Sequence, residues 1–278
     1  MANSSSAISF EFFPPKTAEG RIRLLEKTTP RLQALQPEYF SVTYGAGGST
    51  RDNTLDIVTQ LAQGGYDAAP HLSFGNDDTE AITALLDSYR ELGVRRIVAL
   101  RGDVPSGSGG GRMVQASELV ALIRQHSGDH FRIEVAAYPE IHPQAESYDK
   151  DIEHLKRKLD AGADSAITQY FFNAESYFYF LDRCAAIGID KPIVPGIMPI
   201  TNYENLSRFS RNCGADIPRW ICKRIEGYEG CKESIVKFGI EVVTQLCQSL
   251  IDNGAPGIHF YTMDQAEPVT TIYGQLDL

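Results

Sequence analysis

The sequence lacks the long apolar segments and the paired cysteines that mark several large classes of protein. No apolar run of about 18 residues occurs in its 278 residues, and the N-terminal stretch MANSSSAIS has neither a basic region nor an apolar stretch of signal length. The five cysteines are odd in number and form no CxxC pair, which argues against a disulfide framework and a zinc knuckle. We therefore expect a cytoplasmic protein with reduced thiols and no membrane segment.

Positive charge is scarce: 26 Lys and Arg stand against 36 Asp and Glu, and the net charge is −10. Such a surface repels nucleic acid and anionic lipid. Nucleotide-binding motifs are also missing, since no GxGxxG follows a predicted strand and no GxxxxGK[ST] loop occurs. His126 and His130 have HxxxH spacing, but Gly128 between them would break a helix, so no metal site is expected. These absences favour a small-molecule ligand.

What the sequence does contain is a regular alternation of short strand-like and longer helix-like segments. Eight β-branched or aromatic runs predict strands: ISFEFF, YFSVTY, DAAPHLS, RIVALRG, RIEVAAY, SAITQYFF, PIVPGI and GIHFYT. Helical periodicity predicts helices over 17–35, 51–63, 78–91, 116–126, 147–161, 174–187, 202–212 and 229–252, with an extra helix near 216–227. The pattern predicts an α/β fold, a (β/α)8 TIM barrel, as a single domain over residues 1–278 in which residues 1–6 form a disordered N-terminus.

Polar side chains fall at the carboxyl ends of the predicted strands. In ISFEFF, the alternation of side chains puts Glu11 opposite Phe10 and Phe12, so that its carboxylate points into the barrel. Pro14 and Pro15 end the strand just beyond it. The same position on five further strands is occupied by Thr43, His71, Arg101 with Asp103, Tyr138 and Gln169. Because the loops at this end of such barrels build the site, we expect a polar site above the barrel core.

Nine motifs in order make the sequence similar to a known family. SFEFFPPK, SVTYGAGG, APHL, ALRGD, AAYPEIHP, LKRKLDAGAD, AITQYFF, PGIMPI and HFYT together resemble methylenetetrahydrofolate reductase of the bacterial type. The resemblance implies a (β/α)8 barrel that binds FAD without a Rossmann fold. It implies a ping-pong reaction in which NADH or NADPH reduces the flavin, after which 5,10-methylenetetrahydrofolate takes the hydride and becomes 5-methyltetrahydrofolate. It also implies a homo-oligomer, and the chain is too short for the regulatory domain of eukaryotic members.

The resemblance identifies Glu11 of FEFFPP with the general acid of the family. The five-membered ring of the folate must open to an iminium ion before hydride arrives, and this opening requires a proton on the departing nitrogen. Burial in an apolar barrel mouth, shielded by phenylalanines, is expected to raise the pKa of Glu11 and keep a proton available. Asp103 of ALRGD matches a second catalytic residue, near both flavin and pterin, whose carboxylate favours the cationic iminium.

Further family positions fall on residues that bind substrate or flavin. The residues matched to the substrates are Gln169, Phe209, Asn205, Gln265 and Thr43. The residues matched to the flavin are Thr43, Tyr44, Ala46, His71, Arg101, Gly102, Asp103, Ala116, Tyr138, His142, Ala145, Asp151, His154, Arg157 and Lys158. Without the resemblance, Arg157 and Lys158 would be a solvated helix face; with it, they offer cations to the FAD diphosphate. Phe209, Tyr44 and His142 also fit plainer roles in packing or in a loop.

Three positions depart from the bacterial pattern. His154 stands where bacterial relatives have Asn, Asn205 where they have Gln, and Gln265 where some have Arg. The last two changes affect folate-tail and nicotinamide contacts, so the choice between NADH and NADPH stays open. Two other functions also stay open: a pterin-binding methyltransferase barrel, which uses no flavin, and a non-catalytic flavin- or folate-binding protein.

Overall fold

The strands of the protein form one parallel sheet that curls into a barrel. The structure, a computed structural model, describes residues 7–44, 51–74, 78–101 and 115–277. Within these ranges the strands are β1 (Ala7–Phe12), β2 (Tyr39–Val42), β3 (Ala68–Leu72), β4 (Arg96–Ala99), β5 (Arg132–Ala137), β6 (Ser165–Thr168), β7 (Ile193–Val194), β8 (Gly196–Ile197) and β9 (Gly257–Tyr261). Their order is β7-β6-β5-β4-β3-β2-β1-β9-β8, and all neighbours are parallel. The predicted α/β barrel is confirmed.

The barrel closes at a strand that is broken in two. The segment PIVPGI predicts one strand, but β7 and β8 are separated by Pro195. Because β7 pairs with β6 and β8 pairs with β9, the two halves together fill the seventh of eight strand positions. Pro195 has no N–H to donate, although its carbonyl accepts from the His259 N–H at 3.0 Å. A Cβ on Gly196 would lie 2.1 Å from the Thr168 carbonyl oxygen, so the close approach of β8 to the end of β6 requires glycine at this position.

The helices alternate with the strands as the periodicity predicts. Their bounds are α1 (Ala18–Arg23), α2 (Thr29–Gln33), α3 (Arg51–Gln63), α4 (Thr79–Glu91), α5 (Ala116–Ser127), α6 (Tyr148–Asp160), α7 (Ala174–Ala186), α8 (Tyr203–Cys213), α9 (Arg219–Glu226), α10 (Lys232–Asp252) and α11 (Glu267–Tyr273). The extra helix predicted near 216–227 is α9. The sequence does not predict α11, because seven residues are too few to show a helical period.

The first predicted helix is interrupted by a π-helical turn over Leu24–Thr28, between α1 and α2. Pro30 follows the turn and cannot donate a backbone hydrogen bond, and its ring would clash with a carbonyl in a regular α-helix. The wider turn removes this conflict: the Thr29 N–H bonds to the Leu24 carbonyl five residues earlier, and the Thr29 hydroxyl donates to the same oxygen at 2.9 Å.

Apolar side chains fill two separate layers of the barrel. The larger core lies between strands and helices and includes Phe10 and Phe12, both fully buried. Inside the barrel is a small cluster of Tyr39, Ala69, Val98 and Ile167. The alternation of side chains along the strands therefore holds, and β2, β3, β4 and β6 each contribute to both layers. The lumen above the small cluster is left to polar residues.

Helix α10 is long and apolar enough to cross a membrane by length and composition. It is the only such helix in the described part of the chain, and 44% of its apolar window is buried inside the structure. A core helix of a barrel has the same composition, so α10 is weak evidence for a membrane span. Gly239, near its middle, lets α10 approach the backbone of Ile200, since an added Cβ would lie 2.2 Å from the Ile200 carbonyl oxygen.

Candidate active site

Glu11 lies inside the barrel near the carboxyl end of β1. Its partners across the sheet are Ser41 of β2 and Tyr261 of β9, and 7% of its surface is exposed. Phe10 and Phe12 belong to the core on the helix side of the sheet. The predicted orientation of Glu11 is confirmed, but these two phenylalanines do not surround its carboxylate.

Two imidazoles meet the Glu11 carboxylate instead. Nε2 of His71, on β3, lies 3.3 Å from Oε2, and Nε2 of His259, on β9, lies 3.7 Å from the same oxygen. Neither nitrogen has a hydrogen-bond partner of good geometry in the described part of the chain. On the other side of the His259 ring, Nδ1 lies 2.7 Å from the Ser9 hydroxyl. All four residues are buried, and we refer to Ser9, Glu11, His71 and His259 as the acid cluster.

In the acid cluster the pKa of Glu11 shifts in the direction opposite to the one predicted from the sequence. Burial by itself raises this pKa, which is the direction predicted from the sequence. The charges and close polar contacts of His71 and His259 together outweigh burial, and the pKa of Glu11 falls to about 2. The prediction was wrong because the carboxylate has two imidazoles as neighbours rather than the phenylalanines beside it in the sequence.

The end of β1 is held in place by the loop after β9. The Thr262 hydroxyl donates to the Glu11 carbonyl at 2.7 Å, and the Phe13 N–H donates to Asp264 Oδ1 at 2.9 Å. The Asp264 N–H in turn donates to the Thr262 hydroxyl at 3.1 Å. Met263 and Asp264 both have left-handed backbone, with φ of 51° and 58°, which turns the loop sharply enough for these bonds. Burial raises the pKa of Asp264 to about 7, and the charge of Glu11 adds to the shift.

The loop after β5 brings together four of the residues predicted to bind flavin. The rings of Tyr138 and His142 meet edge to face, with centroids 4.6 Å apart. The His142 N–H donates to Asp151 Oδ2 of α6 at 2.8 Å, and the Ala145 N–H donates to the His142 carbonyl at 2.9 Å. The Gln144 N–H donates to His142 Nδ1 at 3.0 Å. These bonds fix the loop on the first turns of α6.

Cations lie beside this loop at the barrel mouth. Arg101 follows β4 and donates to the Gln144 side-chain oxygen, and Lys158 of α6 donates to the Ala136 carbonyl. Burial lowers the pKa of Lys158 to about 8; Asp151 opposes this shift and Arg101 adds to it. Two cations that repel each other in a partly buried place are typical of a site for an anion such as a diphosphate.

Thr43 and Tyr44 come directly after β2. The Thr43 N–H donates to the Phe12 carbonyl at 2.9 Å, and its own carbonyl accepts from the Thr54 hydroxyl at 2.8 Å. The Thr43 hydroxyl is buried with no partner in the described part of the chain, as expected of a group whose partner is a ligand. Tyr44 is half-buried at the same rim.

The remaining residues predicted to bind flavin lie at the edge of this region or outside the described ranges. Ala116 is half-buried at the first position of α5. His154 is exposed on α6, where partial burial and the charge of Arg157 lower its pKa. Ala46, Gly102 and the predicted catalytic residue Asp103 lie outside the described residues.

Two of the predicted substrate residues are linked through their neighbours. Gln169 directly follows β6, and Phe209 lies half-buried on α8. The next residue after each carries a hydroxyl, and those of Tyr170 and Ser210 lie 3.0 Å apart in the interior. The strand end that carries Gln169 and the helix that carries Phe209 are thereby held together.

Asn205 and Gln265 are exposed and do not join the acid cluster. The Asn205 side-chain oxygen accepts from Arg208 at 3.1 Å, and the Gln265 N–H donates to the Thr262 carbonyl at 3.0 Å.

The two histidines with HxxxH spacing do not converge. His126 Nε2 lies 2.8 Å from Asp87 Oδ1, whereas His130 Nε2 lies 3.1 Å from the Val94 carbonyl oxygen. Among the described residues, no group of three or more His, Cys, Asp or Glu side chains is placed to hold a metal ion.

The sequence pattern alone does not single out Ser9, His259, Thr262 and Asp264 as site residues. A signal for His259 exists in the strand GIHFYT, because alternation puts His259 and Tyr261 on one face. The β1–β9 register then sets His259 beside Ser9. No comparable signal marks Thr262 and Asp264, which act through a loop after the strand.

Fold and site together define a (β/α)8-barrel protein whose polar site is built at the carboxyl ends of the strands, the usual position of an active site in this fold. The family model described as methylenetetrahydrofolate reductase matches residues 1–277. The chain belongs to the methylenetetrahydrofolate reductase family, and is an oxidoreductase of folate metabolism.

Relatives from bacteria and plants agree with this family. The chain is 42% identical to 5,10-methylenetetrahydrofolate reductase of Pectobacterium carotovorum, over 94% of this chain and 86% of that protein. It is 41% identical to the Escherichia coli protein of the same name, over 94% of this chain and 87% of that protein. Identity to methylenetetrahydrofolate reductase (NADH) 1 of Arabidopsis thaliana is 38%, over 93% of this chain but 46% of the plant protein.

A solved structure shows the same fold. It is an uncharacterized protein from Clostridium thermocellum, described as binding two copies of 5-methyl-5,6,7,8-tetrahydrofolic acid. The TM-score is 0.68 at 18% identity, and the match covers 97% of this chain and 93% of that one.

Proposed function

We propose that the protein reduces 5,10-methylenetetrahydrofolate to 5-methyltetrahydrofolate, with FAD as bound cofactor and NADH or NADPH as hydride donor. The reaction proceeds in two half-reactions on the same flavin face, and Glu11 delivers the proton that opens the folate ring. The observation that carries this proposal is the buried Glu11 carboxylate at the barrel mouth, in a chain of this family.

The described residues fit FAD by their donor set. Arg101 and Lys158 supply two cations beside the ordered loop of Tyr138 and His142, and the exposed Arg157 adds a third on α6. We propose that these cations hold the diphosphate, and that Thr43, Tyr44 and His71 contact the flavin from β2 and β3. The remaining flavin contacts are Ala46, Gly102, Asp103, Ala116, Ala145, Asp151 and His154. Bound FAD supplies hydride transfer between the nicotinamide and the folate.

Glu11 supplies the proton for the folate half-reaction. When the departing nitrogen leaves the bridging carbon, it takes the electron pair of the broken bond and needs a proton to become a stable amine. Glu11 is the carboxyl group that β1 places inside the mouth, and Thr262 and Asp264 fix the end of that strand. Asp103 is proposed to stabilise the cationic iminium that remains on the other nitrogen.

Substrate contacts are proposed for Gln169 and Phe209 on the inner side of the mouth, and for Asn205 and Gln265 at its rim. The interior Tyr170–Ser210 bond keeps Gln169 and Phe209 on elements that move together. Phe209 offers an aromatic face on which a pterin or nicotinamide ring can stack.

The deciding experiment is an anaerobic visible spectrum of the FAD-loaded protein, before and after NADH or NADPH and then methylenetetrahydrofolate. The flavin band should bleach with the nucleotide and return with the folate, and the two bleaching rates give the nucleotide preference. A protein that binds no FAD would instead fit the pterin methyltransferase. One that binds FAD but shows neither step would fit a non-catalytic binding protein.

The role of Glu11 can be separated by half-reaction. Glu11→Gln should lower the rate of flavin reoxidation by folate about a hundredfold or more, because general acid catalysis is lost. Flavin reduction by NAD(P)H needs no acid and should fall far less. Glu91→Gln, at the exposed end of α4, is the matched control and should change neither rate. Equal losses in both half-reactions would show that Glu11 is structural.

The wider setting of the protein is also part of this proposal. We propose a single catalytic domain over residues 1–278, a homo-oligomer in solution and a cytoplasmic location in which the product supplies methyl groups for methionine biosynthesis. Sedimentation analysis of the purified protein tests the oligomer. Fractionation of the source cells tests the location.

A further inference from the structure

His259 is a buried titratable group that the proposed function does not yet use. None of its surface is exposed. Its ring stacks on Tyr39 of β2, with centroids 5.9 Å apart, and meets Tyr261 edge-on at 5.4 Å. Its two nitrogens face only two described polar groups, the Ser9 hydroxyl at 2.7 Å and the Glu11 carboxylate at 3.7 Å. A proton on this ring can therefore leave only toward one of these two residues.

Ser9 suits both charge states of the imidazole. A hydroxyl group can donate to Nδ1 of a neutral ring, and it can accept from Nδ1–H of an imidazolium. When the hydroxyl accepts from Nδ1–H, the second nitrogen, Nε2, is free to gain or lose the hydrogen that faces Glu11. The His259 ring can thus gain or lose a proton without leaving a buried polar atom unpaired on the Ser9 side.

The charges around His259 leave Glu11 as its one ionised contact in the described part of the chain. Tyr39 and Tyr261 are neutral phenols, because burial raises the pKa of both. The Arg96 guanidinium lies 4.1 Å from the centroid of the Tyr39 ring, and it is paired with the buried carboxylate of Glu134. Two further titratable groups act on Glu11 itself: Nε2 of His71 lies 3.3 Å from its carboxylate, and the Glu11 charge adds to the raised pKa of Asp264.

We propose that His259 stores the proton that Glu11 passes to the folate, and that Ser9 is the positioning residue that keeps the imidazole ready for this transfer. The inference rests on the proposed function and deepens it. Nε2 of His71 is closer to Glu11, at 3.3 Å, but His71 is also one of the residues proposed above to contact the flavin. His259 has no exposed surface, and its ring nitrogens have only Ser9 and Glu11 as polar neighbours among the described residues.

The proton transfer balances as follows. The imidazolium of His259 gives the proton on Nε2 to Oε2 of Glu11, which yields a neutral imidazole and a neutral carboxyl group. The carboxyl group gives that proton to the departing nitrogen as its bond to the bridging carbon breaks and the electron pair moves to nitrogen. Glu11 is then again a carboxylate, and His259 is recharged by one proton that enters through Glu11 after product leaves. No oxidant or reductant is needed for this relay.

The kinetic test compares Ser9→Ala and His259→Gln with wild type, all loaded with FAD. Reoxidation of the reduced flavin by methylenetetrahydrofolate is followed by rapid mixing between pH 5.5 and 9. His259→Gln should slow reoxidation at neutral pH about tenfold more than it slows flavin reduction by NAD(P)H. Ser9→Ala should move the alkaline limit of reoxidation to lower pH by about one unit, because the imidazolium loses its acceptor. His126→Gln, which replaces a half-buried histidine on α5 that contacts Asp87, is the control and should match wild type.

A spectroscopic test locates the proton independently of turnover. The chain has six histidines, so ¹⁵N-histidine spectra of the FAD-loaded protein are simple, and His259→Gln identifies the signal of His259. In Glu11→Gln, the titration midpoint of His259 should fall by about one pH unit or more, because the carboxylate that favours the imidazolium is gone. This measurement also serves if His259→Gln is poorly folded, since the signal can then be assigned through Ser9→Ala.

The outcomes separate the two proposals. The role of His259 would be overturned if Ser9→Ala and His259→Gln both kept the wild-type pH profile of flavin reoxidation. It would also be overturned if the titration midpoint of His259 were unchanged in Glu11→Gln. A wild-type protein whose reduced flavin is not reoxidised by folate would overturn the proposed function. The titration of His259 would in that case still show whether its proton is held by Glu11.

Discussion

Replacing Gly239 by alanine should destabilise the barrel, although alanine favours helices. Gly239 lies in the interior of α10, where this helix crosses the backbone of Ile200. The added Cβ would lie 2.2 Å from the Ile200 carbonyl oxygen and 2.7 Å from the Ile200 Cβ, whereas ordinary contacts begin at 3.4 Å. The helix or the backbone opposite must therefore move by about 1 Å, which close-packed interiors resist.

The size of the effect follows from two opposing contributions. Alanine in place of glycine inside a helix gains about 1 kcal/mol. Overpacking of a buried contact costs about 1–3 kcal/mol, and the upper end applies here because the obstacle is backbone rather than a flexible side chain. We expect a net loss of about 2 kcal/mol in the free energy of unfolding, which lowers Tm by about 3–4 °C, given an unfolding entropy of about 2.1 cal/mol/K per residue over 278 residues.

Thermal unfolding followed by circular dichroism, at saturating FAD, measures this loss. The control is Gly227→Ala at the end of α9, where φ is −67° and the nearest atom to an added Cβ is the Arg224 carbonyl oxygen at 3.5 Å. The control should keep or slightly raise Tm. If Gly239→Ala were as stable as the control, the close approach of α10 to Ile200 would be refuted.

Two further predictions concern charges at the mouth. Lys158→Met should weaken FAD binding about tenfold or more, because a charge-assisted bond to the diphosphate is lost. Lys156→Met is the control and should not weaken binding, since the Lys156 amine bonds Asp160 at 2.9 Å. Equal dissociation constants for the two variants in a flavin fluorescence titration would contradict the diphosphate site. Asp264→Asn should gain stability relative to wild type as pH rises. Burial raises the pKa of Asp264 from 3.8 to about 7, so between these values the folded protein holds a proton that the unfolded chain has lost, and wild-type stability falls with pH. Asparagine keeps an oxygen for the Phe13 N–H, and a pH-independent difference in Tm would count against this reasoning.

Much of the barrel can be predicted because local patterns repeat eight times. Each strand segment is marked by β-branched and aromatic residues, and each long helix shows several turns of periodicity. The pattern does not show the break at Pro195, which depends on Tyr261 and Thr168 crowding Gly196 from other strands. It does not show the π turn before Pro30 either, because the spacing of apolar residues barely changes there.

For the candidate site, the sequence predicts the orientation of each residue on its own strand but not the contacts between strands. Alternation along β1 correctly puts Glu11 inside the barrel and Phe10 and Phe12 outside. It cannot tell which side chains from other strands reach the carboxylate, and the partners that decide its pKa, His71 and His259, come from β3 and β9. A prediction of pKa from sequence neighbours therefore fails even where the orientation of the residue is right.

The acid cluster joins residues from opposite parts of the sequence. Ser9 and His259 are in contact, yet 250 positions separate them. At a synthesis rate of about 5–20 residues per second, Ser9 leaves the ribosome roughly 10–50 s before His259 is made. Until β9 docks beside β1, Glu11 lacks His259, one of the two imidazoles beside its carboxylate. The complete acid cluster therefore forms only with the last strand, and a nascent or truncated chain without β9 has the carboxylate but not the histidine proposed to store its proton.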